Sequence, residues 1–171
     1  MQPRSNDDLR KAYRITAFIG LAMIASLIVY AVVVELIKEQ NAPFGGFSPM
    51  PEVIATLRYA LLGVAALEFF VIRLLNTLML SGKVPLRSSA ATVPFAPEVQ
   101  RLVSASIVTY ALCESVAIYG LVLFLIQGNS SDFYLFLILS LLYFSIFFPK
   151  YGKWEEWNAE QKREQARRSQ Q

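Results

Sequence analysis

Four stretches of this chain are long and apolar enough to cross a lipid bilayer, and that requirement limits what it can fold into. They run at about residues 12–37, 53–80, 99–126 and 133–148. At about 1.5 Å per residue, the first three exceed a hydrocarbon core of about 30 Å and must tilt or project beyond it. The fourth is short, with Asp132 before it and Pro149 after it, and is expected to stand nearly upright. Only 17% of the 171 residues are charged, against about a quarter in a soluble domain, and the mean hydropathy is +0.43. The fold class that follows is all-α, an integral membrane bundle of four transmembrane helices.

The first apolar run follows Arg10, Lys11 and Arg14 but continues from Ile15 to Ile37. It is longer than a signal-peptide core of roughly 7–15 residues, so it reads as an uncleaved first span. Proline and glycine make a loop of Asn41 to Pro51, and Pro85, Pro94 and Pro97 break the chain between spans two and three. Gly128-Asn129-Ser130-Ser131 makes a tight turn, so spans three and four form an antiparallel hairpin.

The charges orient this bundle. Arg4, Arg10, Lys11 and Arg14 precede span one, and Lys83, Arg87 and Arg101 sit between spans two and three. Lys150, Lys153, Lys162, Arg163, Arg167 and Arg168 follow span four. The other two connections carry only Lys38, against Glu35, Glu39, Glu52 and Asp132. The positive-inside rule then places both termini and the middle loop in the cytoplasm of a multi-pass protein of the cell's inner (plasma) membrane. Residues 1–150 form the transmembrane domain, and 151–171 a charged cytoplasmic tail. Within the tail, Glu156, Glu160, Glu164 and Arg168 follow at intervals of four, as on a solvated helix. Lys150, Tyr151, Lys153, Trp154 and Trp157 suit an anchor at the headgroup layer.

Composition also removes several function classes. Histidine is absent and Cys113 is the only cysteine. The commonest general base, the commonest metal ligand and any thiolate cluster are therefore missing. No Ser/His/Asp set or phosphate-cradling glycine loop is present, so no catalytic residue, cofactor or metal is assigned. The pI near 9.1 comes with no basic stripe, which argues against nucleic acid as a partner.

What remains is a set of polar groups inside the apolar spans. Glu114 lies near the middle of span three, where inserting a charged carboxylate costs at least a few kcal/mol. Span two carries Arg58, Glu68, Arg73 and Asn76, with Glu68 close to its middle and Arg73 about 7–8 Å further along. Since the spans run in opposite directions, Glu68 and Glu114 fall at nearly the same depth. Glu68 and Arg73 are about 140° apart around their helix and each needs a partner on another one. The expected constellation is Glu68, Glu114 and Arg73 in the bundle interior, Arg73 pairing one carboxylate and leaving the other protonated or ion-binding. A buried pair that only fixes helix register is the alternative. Arg58 is expected to reach water or Glu35.

Ser106, Tyr110, Cys113, Ala117 and Gly120 recur at intervals of four and three, a seam of mostly small residues that lets helices approach closely. Cys113 reads there as a small apolar filler. Span four is apolar all round, with Ser140 and Ser145 free to bond their own backbone, and is expected to be the most lipid-exposed helix.

Ala96-Pro97-Glu98, then Glu114, then Ala117-Ile118-Tyr119-Gly120-Leu121-Val122 resembles the carboxylate-bearing helix of the rotary ATP synthase c subunit (proteolipid). The resemblance is confined to residues 96–126. It implies that Glu114 is a reversible proton or sodium site, shaped by Tyr119 and its neighbours.

Two functional expectations follow. The first is a non-enzymatic subunit or assembly partner of a membrane complex, held by the bilayer and by other membrane subunits or a second copy. The second is a proton- or cation-binding membrane component using Glu114, with Glu68, Arg73, Tyr110 and Tyr119 around it. An enzyme in its own right is not expected, only a subunit of a larger ion-translocating one.

Overall fold

The computed structural model describes residues 3–47, 51–80 and 97–168, with side chains at 7–47, 53–79, 99–163 and 167. The polar connection carrying Lys83, Pro85, Arg87 and Pro94 lies outside the described residues. So do the side chains of Arg4, Glu52, Pro97, Glu98, Glu164 and Arg168. Every regular element described is helical: α1 (Pro3–Gln40), α2 (Pro51–Leu80), α3 (Pro97–Gln127), α4 (Ser130–Phe147) and α5 (Tyr151–Arg168). The first four are long and apolar enough to cross a membrane.

Local chemistry sets the helix ends. α2 and α3 open on Pro51 and Pro97, and the first helical position is where a missing N–H costs nothing. The Asn129 side chain caps α4, accepting from the Ser131 N–H at 3.0 Å. Asp132 adds a negative charge in its first turn, where the helix dipole favours one. α4 stops at Phe148, whose extended backbone (ψ 127°) is the conformation that a following proline demands.

α3 is the hub, packed on α4, α1 and α2. It runs parallel to α1, since Gly20 meets Tyr110 and Ser26 meets Glu114 further along both. It runs antiparallel to α2, where Asn76 meets Thr109 and Glu68 meets Tyr119. The five residues at small-residue spacing on α3, Ser106 to Gly120, are all buried. A Cβ on Gly120 would lie 2.7 Å from the Phe136 Cβ and 3.0 Å from the Phe133 carbonyl oxygen, so α4 fits against α3 only if that position is glycine. Across the same contact, Ser140 donates to the Cys113 carbonyl at 2.6 Å.

The two ends are closed differently. Where α1 and α3 begin, Leu9, Ala12, Val99 and Leu102 form a cluster capped by Trp154 from α5. At the other end the α1–α2 loop lies over the α3–α4 turn, with the Phe47 N–H donating to the Leu125 carbonyl at 2.9 Å. Gly46 (φ +85°) and Gly128 (φ +75°) supply the left-handed backbone this clasp needs.

Several expectations need correction. α4 is not the most exposed span: 33% of its apolar window is buried, against 11% for α2 and 17% for α1. Its short turn folds it back onto the small-residue face of α3. Ser140 bonds across to α3 rather than to its own helix. Trp154 is buried against α1 and α3 instead of standing free as an anchor, with Tyr13 edge-on to both Tyr151 and Trp154.

Candidate functional site

The two mid-span glutamates lie at different contacts of the hub, one facing out from it and one facing in, and the same chemistry receives each. Glu114, on α3, faces α1. Ser26 and Tyr30 stand one turn apart on α1, and their hydroxyls lie 2.5 and 2.7 Å from Glu114 Oε1. Glu68, on α2, faces α3. There Ser115 and Tyr119, again one turn apart, place their hydroxyls 3.0 and 2.7 Å from Glu68 Oε1. Residues four apart share a helix face, which is why a Ser-x-x-x-Tyr sequence can grip one oxygen from two sides. Each serine also contacts a carbonyl three residues back on its own helix, Met23 at 2.6 Å and Leu112 at 2.7 Å.

The two centres join through α3. Glu114 and Ser115 are consecutive, so the residue beside the first acid holds the second. Glu68 is 9% exposed, and its other oxygen, Oε2, is buried with no hydrogen-bond partner. Around this layer, Tyr143 of α4 donates to the Ala65 carbonyl of α2 at 2.8 Å. That bond ties α2 to α4 just beside Glu68.

Arg73 does not join this layer. It is exposed, with its guanidinium carbon 5.7 Å from the centre of the Phe69 ring and no described carboxylate within ion-pair reach. The reason is geometric: the turn of α2 that aims Glu68 at α3 carries Arg73 around to the outer face. Tyr110 is also elsewhere. It packs between Gly20, Phe144 and Phe148, and its hydroxyl is buried without a partner. Glu68 and Tyr119 are brought together, while Glu114 meets α1 alone.

Two further carboxylates, Asp132 and Glu35, sit near the ends of the spans, beside cations. Asp132, 2% exposed, has Arg58 Nε 3.1 Å from its Oδ1, without hydrogen-bond alignment. Gln127 donates to its Oδ2 at 2.5 Å. These groups line an open cleft of about 440 Å³ with Ile54, Ala55 and Tyr59. Glu35 holds Lys38 at 2.9 Å and accepts from Tyr134 at 2.5 Å. Arg58 therefore meets Asp132, not Glu35. The tight α3–α4 turn brings Asp132 beside the first turns of α2, whereas Lys38, one turn along α1, already occupies Glu35.

Sequence reasoning missed Ser26 and Tyr30 as partners of Glu114. Ser-x-x-x-Tyr occurs at 26–30 and 115–119 but equally at 106–110 and 130–134, so the pattern alone did not mark the partners of a carboxyl. No family model, curated protein or solved structure matches this chain.

Proposed function

We propose that the chain is an integral inner-membrane protein with four transmembrane helices and cytoplasmic termini, which binds and releases a proton or small cation at Glu114. The observation that carries this reading is the company Glu114 keeps. In the middle of a helix suited to span a bilayer, it has two hydroxyls and, among the described residues, no cationic partner. An intramembrane acid of that kind is a functional-site candidate by default. Hydroxyls can donate to the ionised form or accept from the acid, so they serve both states. The cationic residues before α1 and after α4 support cytoplasmic termini by the positive-inside rule.

The test is reconstitution into vesicles with proton and sodium passage measured across them. Glu114→Gln should abolish passage; flux that is unchanged by this substitution would overturn the reading.

A second reading, a non-enzymatic subunit or assembly partner, is favoured by the outer face of α2. That helix is the least buried of the four and presents Phe70 and Arg73 outward. Co-purification in mild detergent decides it: a stable partner lost on Arg73→Gln supports assembly, and a chain that runs alone removes it.

A further inference from the structure

We infer that the cleft between α1 and α5 binds the headgroup of an anionic phospholipid, its phosphate held by Arg10 and Arg14 and its acyl chains lying along α1. The inference rests on the membrane-spanning reading above but not on ion passage at Glu114, so each can fail alone.

The cleft has a volume of about 440 Å³ and is lined by Arg10, Tyr13 and Arg14 of α1 and by Tyr151 and Glu155 of α5. Packing beneath it fixes its walls. Leu9, Ala12 and Trp154 are buried together, and Tyr13 stands edge-on to Tyr151 and Trp154. Tyr13 also donates to the Pro149 carbonyl at 3.3 Å, which ties α1 to the residues leading into α5. The concavity is therefore a product of the fold.

Arg10 and Arg14 are one turn apart, so their side chains share one face of α1. Both are exposed, and among the described residues no carboxylate comes within ion-pair reach of either. Two such guanidinium forks suit the oxygens of one phosphate. Glu155 stands on the α5 side of the cleft. Two guanidiniums against one carboxylate leave the lining with one net positive charge. That complements a phosphodiester carrying a single negative charge and gives a zwitterionic headgroup no net attraction.

The rest of the same helix face separates a lipid from a free phosphate. Beyond Arg14 it continues as Phe18 and Leu21, which are 74% and 59% exposed. They follow at intervals of four and three, so they stand in line with the arginines, about 6 and 10 Å further along the helix axis. A phospholipid with its phosphate at the arginines has an apolar track for its acyl chains, whereas a soluble anion can use only the cleft. Basic pockets beside spanning helices suit anionic headgroups for the same reason.

The experiment is native mass spectrometry of the full chain in mild detergent, titrated with phosphatidylglycerol and, separately, with phosphatidylcholine of the same acyl chains. Phosphatidylglycerol should bind more tightly. Replacing both arginines, Arg10→Gln with Arg14→Gln, should weaken it about 30-fold, the effect expected of two arginines near a bilayer surface. Lys38→Gln, which removes a cation at the opposite end of α1, should leave binding unchanged. Glu155→Gln should tighten binding by removing the like charge, and it tests the cleft without touching the arginines. Equal binding of the two lipids would overturn the inference, as would a double variant that binds like wild type. Displacement of the lipid by millimolar inorganic phosphate would also overturn it, since the cleft would then be a site for the free anion. Selective binding in a protein whose vesicles pass no ions would support the inference and sink only the reading of Glu114.

Discussion

Carboxyl groups at the middle of this bundle and at its ends are solvated in opposite ways. Near the ends, Asp132 lies beside Arg58 and Glu35 binds Lys38. In the middle, Glu68 and Glu114 have serine and tyrosine hydroxyls and, among the described residues, no cation. The physics of the surroundings accounts for the division. A guanidinium or ammonium near a span's end can keep part of its hydration, as Arg58 does at 41% side-chain exposure, so an ion pair there is affordable. Deeper in, two charges would both lose water, and the desolvation can exceed their attraction. Hydroxyls add no charge. The helices therefore hold their central acids with the weakest polar groups able to satisfy them.

The largest expected effect comes from breaking an end pair. Asp132→Leu leaves Arg58 and Gln127 facing a buried apolar group. It should destabilise the fold by about 2–3 kcal/mol, read as a lower thermal midpoint in detergent. Arg58→Gln should cost less, because Asp132 keeps its bond from Gln127. If Asp132→Leu costs no more than a central hydroxyl does, the proposed contrast between ends and middle is wrong.

Central hydroxyls come next. Tyr30→Phe and Tyr119→Phe each delete one hydrogen bond to a carboxyl oxygen. Each loss should cost about 0.5–1.5 kcal/mol, less than the Asp132 substitution. The double variant should be close to additive, because the two tyrosines serve different acids on different helix pairs.

How much of this was legible beforehand follows from which interactions are local. The apolar lengths and the small-residue spacing on α3 are properties of single helices, and periodicity reads them directly. Glu68 and Glu114 stand out for the same reason, as isolated carboxyls in apolar runs. Their partners depend on how helices rotate against each other, which no single-helix pattern fixes. Pairing Arg73 with a glutamate assumed that a buried charge seeks the opposite charge. Two serine–tyrosine pairs do the work instead, and hydroxyls scattered through apolar helices look like ordinary filler. The inward placement of α4 was hidden for a similar reason: a helix apolar all round carries no mark of which face is covered, and only contacts with other helices, such as those at Gly120 and Ser140, reveal it.

The smallest effect expected is at Lys38. Its pair with Glu35 spans one turn of α1, with the two side chains 37% and 47% exposed. Exposed pairs at this spacing contribute little and weaken as salt is added. Lys38→Gln should therefore leave the thermal midpoint nearly unchanged, and Glu35 keeps its bond from Tyr134. The useful measurement is the salt dependence. Raising ionic strength should narrow the difference between wild type and Lys38→Gln while leaving that between wild type and Tyr30→Phe unaltered, since a hydroxyl bond inside the bundle is shielded from the ions that screen an exposed pair. If salt instead erodes the Tyr30→Phe difference, ions reach the Glu114 site, and the middle of the bundle is solvated like its ends.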